Sequence, residues 1–299
     1  MKAIYTILTS LLISGTIQAQ ETFQKTFEDP NEVIKGHVGV EIYGVDAGFK
    51  NLSGSMLFAV GVNARYPISE KISAEGLVRF PLLRFEKKGF SFTTDAGILY
   101  KLKSEDAVRP VRIILGYKET DNINSNTRTS TVKYLDVNGM VRKNTYLRGG
   151  IYLRNSAFEY KEDEMTDYFI ENIFHKGIYL GVGRERQYFF KMQKQKGNET
   201  VGFGAGSIFM VYGDVMILPV SVNLQQDTFG LGGGATKEVD GLLGGRVGFK
   251  WYRNPFTKEQ NFGRRLPFFG NSVFSLETGV RPLDGLFISG SLTYIIYKF

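Results

Sequence analysis

FSFTTDAGILYKL, running from Phe90 to Leu102, alternates along its whole length. Phe90, Phe92, Thr94, Ala96, Ile98, Tyr100 and Leu102 share one side, and Ser91, Thr93, Asp95, Gly97, Leu99 and Lys101 share the other. A period of two with unlike sides is the pattern of a β-strand whose faces meet different surroundings. The run is also long. Ordinary strands centre on about five or six residues, whereas a strand tilted across a bilayer takes about 9–11.

The same grammar recurs. Met56, Phe58, Val60, Val62, Ala64 and Tyr66 stand against Leu57, Ala59, Gly61, Asn63 and Arg65. Ile72 to Phe80 and Leu242 to Tyr252 read likewise. Aromatics at strand ends (Tyr66, Phe80, Tyr100, Tyr117, Tyr252) fall where the interfacial girdles of a membrane barrel would lie. A soluble barrel turns its apolar face inward and a membrane barrel turns it out. The second face here is charged yet rich in Gly, Ser and other small residues, which suits a crowded polar lumen. The reading is an all-β protein, a single antiparallel transmembrane β-barrel, preferred over a soluble lipocalin-like barrel.

Candidate strands begin near residues 37, 55, 71, 90, 109, 131, 144, 176, 201, 215, 241, 271 and 285. Asn138-Gly139, Gly213-Asp214 and Pro282-Leu283-Asp284-Gly285 read as tight turns. Pro219 weakens the span after 215, because proline removes a ladder donor. A single-chain bacterial barrel takes an even number, so about twelve strands are expected, within a range of ten to fourteen. Lys118–Ser130, Asn155–His175, Gln225–Asp240 and Asn254–Asn271 read as long connections, the second with room for a short helix.

Lys2, an apolar run from Ile4 to Ile13 and a small-residue stretch ending at Ala19 read as a secretory signal peptide. The expected organisation is 1–19 signal peptide, 20–36 N-terminal periplasmic segment and 37–299 barrel. The chain has no Cys, which excludes disulfides and Cys-ligated metals. It has 35 Gly, where average usage gives roughly 21, and 24 Phe with 16 Tyr. Its mean hydropathy is −0.14 and its net charge +7. For an exported chain that charge points to anionic headgroups or anionic solutes rather than nucleic acid.

Catalytic and cofactor patterns are weak. GLGGGA (Gly230 to Ala235) lacks the βαβ context of a dinucleotide fingerprint. The Asn122, Asn124, Asn126 series has Lys133 where a calcium loop needs an acid. His37 and His175 have neither metal-ligand spacing nor a neighbouring serine for a barrel-wall hydrolase. No catalytic, cofactor or metal site is expected.

The charges are more informative. Arg65, Arg79, Lys101, Arg112, Arg148, Arg154, Arg246, Lys250 and Arg281 fall on the polar parity, with Glu75, Asp95 and Glu277 opposite them. Two readings stand: a cation-rich pore wall that favours anions, and a salt-bridged lumen filled by its own side chains.

The final residues, SGSLTYIIYKF (Ser289 to Phe299), carry a resemblance. With the export signal and the long alternating strands, Ile295, Tyr297 and Phe299 resemble the closing strand of Gram-negative outer-membrane β-barrel proteins. The resemblance implies a porin-like or structural surface barrel in the outer membrane. Its partners would be outer-membrane lipid, the barrel-assembly machinery reading Ile295, Tyr297 and Phe299, and small anionic solutes. In the same strand the other parity (Leu286, Ile288, Gly290, Leu292, Tyr294, Ile296) is the more apolar.

Overall fold

The computed structural model describes residues 22–26, 35–49, 57–83, 91–122, 127–163, 166–196, 199–226, 233–239, 242–253 and 271–299. Residues 1–19, read as a signal peptide, and 254–270, most of the last long connection, lie outside them, as do most of 20–36 and Gly230–Gly232 of GLGGGA.

Every described element is a strand, and all pair antiparallel. In chain order they are β1 (Thr22–Thr26), β2 (His37–Gly48), β3 (Leu57–Pro67), β4 (Ile72–Leu83), β5 (Phe92–Asn122), β6 (Thr127–Asp163) and β7 (Thr166–Lys196). They continue with β8 (Glu199–Ile217), β9 (Val220–Gln226), β10 (Gly233–Val239), β11 (Leu243–Arg253), β12 (Ser272–Arg281) and β13 (Gly285–Lys298). Two of the breaks are interruptions within one wall strand. β9 continues β8 along β7, with Ile178 facing Ile217 and His175 facing Val220. β10 and β11 follow β9 and β8 in the same way. The gap falls at Leu218-Pro219, where proline supplies no donor, although Lys176 N–H still reaches the Pro219 carbonyl at 3.2 Å.

The sheet closes where β13 pairs with β2, giving a barrel of ten strands with β1 outside it against Lys191–Gln195 of β7. The expected twelve is corrected to ten. Asn138-Gly139 lies inside β6, facing Pro110 and Arg109, and Gly213-Asp214 lies inside β8. The spans begun at 109, 144 and 215 therefore merge with their predecessors. Among the described residues of Asn155–His175, where the sequence left room for a short helix, β6 and β7 instead continue as a paired hairpin, with Phe158 facing Ile170.

The third turn stands where the sequence puts it. Asp284 N–H donates to the Pro282 carbonyl at 2.9 Å, and Leu283 takes a φ of 66° to make the reversal.

The ring is strongly sheared. Direct register partners run Ile72, Tyr100, Leu147, Val182, Gly213, Val247, Thr278, Ile288, Ala47, climbing from the first residue of β4 almost to the far end of β2. This path lies on the outer face, where Val182 is 58% exposed. The neighbouring path through Leu99, Arg148, Asp214, Arg246 and Phe287 is buried inside. Apolar groups face outward and charges inward, the reverse of a soluble core.

Two bulges preserve that sorting. Between Glu41 and Gly44 the register slips, so Glu41 and Asp46 both point inward despite their odd separation. A Cβ at Gly44 would collide with the Glu41 carboxylate, which is why the bulge carries glycine there. Between Ile295 and Tyr297 a second bulge turns the closing strand over. Ile295 is buried inside, while Tyr297 and Phe299 emerge on the outer face with Leu286 and Ile288.

Aromatics gather on the outer face at both ends. Near the start of β2 stand Tyr66, Tyr100, Trp251, Tyr297 and Phe299, with Tyr66 and Phe299 edge-on at 5.1 Å. At the opposite end are Tyr43, Phe49 and Phe80. Tyr252, expected in this girdle, instead points inward, and Trp251 takes the outer position. No side-chain placement is described for Tyr117.

Candidate functional site in the barrel lumen

The small and charged parity builds the interior in three tiers. Nearest the start of β2, Glu185 on β7 is fully enclosed. It accepts from Arg65 at 2.6 Å, Asn144 at 3.0 Å, Tyr146 at 3.0 Å and Gln187 at 2.7 Å. His37 sits beside this group, its Nε2 3.0 Å from Asn63 Oδ1 and its ring edge-on to Tyr252.

The middle tier centres on Arg246 of β11. Its Nε donates to Asp214 at 2.8 Å and its Nη1 to Asp95 at 2.5 Å, with Glu277 at 3.6 Å. Arg148 lies 3.4 Å from the same Asp214, and its guanidinium covers the Tyr212 ring at 3.6 Å. The Tyr212 hydroxyl in turn donates to Glu277. Lys250 reaches Glu75 at 2.9 Å, and Arg79 clasps Glu41 while also donating to Ser289. A cavity of about 20 Å³ remains among Glu75, Arg79, Asp95, Arg148 and Lys250. That volume suits about one water.

At the far end Asp46 accepts from Arg281 at 2.6 and 3.0 Å and lies 3.2 Å from Arg154. Arg154 also donates to Asp284, which the Leu283 turn holds inward. Arg281 donates to Tyr152 at 2.8 Å, and His175 Nε2 donates to the Pro282 carbonyl at 2.8 Å.

Of the residues predicted to line the lumen, Arg65, Arg79, Arg148, Arg246 and Lys250 come together in this interior, with Arg154 and Arg281. Lys101 lies at the mouth nearest the start of β2. Arg112 is on the part of β5 that runs past the ring, where its backbone faces Asp136, and its side chain is outside the described set. Sequence reasoning missed most of the acids: Glu41, Asp46, Glu185, Asp214 and Asp284 are all buried inside. Carrying the alternation through each strand finds Glu185, whereas Asp46 needs the bulge and Asp214 looked like a turn.

Among the described residues the arrangement is one of paired charges. Among the described residues no cluster of three or more His, Asp or Glu side chains is placed to hold a metal ion. No protein-family model matches the sequence, and comparison with curated proteins finds no match.

Proposed function

We propose that this chain is an outer-membrane β-barrel that does not conduct, a structural or binding barrel whose lumen is closed by its own ion pairs. The inverted sorting of side chains carries the reading. Burying so many charges inside costs several kcal/mol per ion unless each is paired, and exposing Val182, Leu180 and Val215 outside serves no soluble protein. Lipid resolves the second problem and the tiered network the first. The eleven residues of β3 measure about 36 Å at 3.3 Å each. Tilted by about 40° they rise about 28 Å, enough for an apolar band of about 25 Å.

The porin-like alternative asks the lumen arginines to meet solutes. Arg65, Arg79, Arg148, Arg154, Arg246 and Arg281 each already have a carboxylate within 4.0 Å. Contacts with partners fall instead to the parts of β5, β6 and β7 that outrun the ring. An assembly role for the closing strand then belongs to Tyr297 and Phe299 on the lipid side, with Ile295 contributing to the interior.

Membrane fractionation with heat-modifiable gel migration, followed by planar-bilayer recording, tests the proposal. A detergent-requiring, heat-modifiable and electrically silent barrel is expected. Release in soluble form, or steady anion-selective conductance from the unmodified protein, defeats it.

A further inference from the structure

Above the Arg65–Glu185 tier the barrel opens into a cavity of about 630 Å³, within the usual range for small-molecule sites. Its floor is electrostatically spent, because Glu185 already accepts from Arg65, Asn144, Tyr146 and Gln187. Arg142 in the wall is likewise engaged, donating to Asp106 at 2.8 and 2.9 Å. Three further cations line the space, Lys35, Lys71 and Lys101. Among the described residues none of the three has an ion pair within 4.0 Å, and the lining offers a single additional acid, Glu70.

Surplus ammonium groups around a concave, partly enclosed volume raise the local concentration of anions and bind oxyanions by charge-assisted hydrogen bonds. The tier below prevents the anion from passing on. From this juxtaposition we infer that the vestibule is a binding site for a small multivalent oxyanion, held by Lys71 and Lys101 with Lys35 at the rim. The chemistry recognised is a phosphate or carboxylate group, carried either by a free solute or by an acidic lipid headgroup entering at the mouth. The inference needs only the cavity and its cations, so it stands apart from the membrane reading.

Pyrophosphate titrated calorimetrically into the folded, full-length protein in zwitterionic detergent is the direct probe. Saturable binding is expected, weakened at least tenfold in K71Q/K101Q and unchanged in K176Q, whose lysine is exposed on β7 away from the vestibule. Should the double variant fail to fold, K71Q alone, at an exposed turn position, is expected to weaken binding about threefold. A parallel titration with phosphatidylglycerol vesicles separates the sources. Binding to vesicles alone that is sensitive to K71Q/K101Q assigns the site to a headgroup, and binding of pyrophosphate assigns it to a solute. No saturable binding of either probe, no weakening in the lysine variants, or equal weakening by K176Q overturns the site.

Discussion

Arg79 and Glu41 face each other inside the barrel through two parallel hydrogen bonds, Nε to Oε1 at 2.6 Å and Nη2 to Oε2 at 3.1 Å. Both side chains are almost wholly enclosed, and a bulge with glycine at position 44 makes room for the carboxylate. Breaking one side of such a buried pair costs about 3–5 kcal/mol, because the other charge is stranded. Arg79→Ala should therefore lower the urea midpoint of the detergent-folded barrel far more than Lys176→Ala. Arg79→Met combined with Glu41→Gln should recover much of the loss. Equal midpoints for Arg79→Ala and Lys176→Ala would show the pair to be idle.

The outer face gives a second prediction. Val182 is largely exposed, so in a soluble barrel Val182→Lys would shift stability by no more than about 0.5 kcal/mol. Against hydrocarbon near the bilayer midplane the same change costs about 2–4 kcal/mol. Equilibrium unfolding from liposomes should give the larger figure, and a near-zero cost would favour water as the outer medium.

Closure of the lumen predicts that conductance can be created. Arg148 and Arg246 share Asp214 and cover the Tyr212 and Tyr179 rings. Replacing both by alanine empties the middle of the network. Single-channel recording should show silence for the parent and discrete openings for Arg148→Ala/Arg246→Ala. A double variant that folds and stays silent would mean that other tiers suffice to close the barrel.

On the part of β5 beyond the ring, the hydrogen bonds from Arg142 hold the Asp106 carboxyl below its ordinary value of 3.8. The folded value is the lower one, so any stability from this pair is present above the ordinary value and fades as pH falls through the lowered one. Carboxyl NMR should place the Asp106 midpoint lower in the parent than in Arg142→Gln. Coincident midpoints would show the pair to be absent in solution. The pair is partly exposed, so its share of stability is small.

The sequence made the wall legible and its breaks illegible. Phe92 to Leu102 reads correctly down to individual side chains: Ile98 and Tyr100 face out and Leu99 is buried. Strand number failed because turns and a charged lumen use the same residues. Gly213-Asp214 has turn composition, yet Asp214 is there to receive Arg148 and Arg246. Asn138-Gly139 sits where β5 is long enough to keep pairing, so the local preference is overridden by a partner strand. Parity failed where bulges intervene. Ile295, Tyr297 and Phe299 look like one face by counting, but the bulge puts the first inside and the others outside. One acid of the interior stayed hidden for the same reason, since Asp46 reaches the lumen only after the slip at Glu41–Gly44.

Ring closure between β2 and β13 has a consequence in time. The earliest strand of the wall waits for the latest, so the outer edge of β2 offers bare N–H and C=O groups until nearly the whole chain has been delivered. Contacts of such long sequence separation form slowly, and an unpaired edge invites other chains. The edge of His37–Gly48 is therefore the last in the wall to be covered, and it is covered only when Lys298 reaches His37.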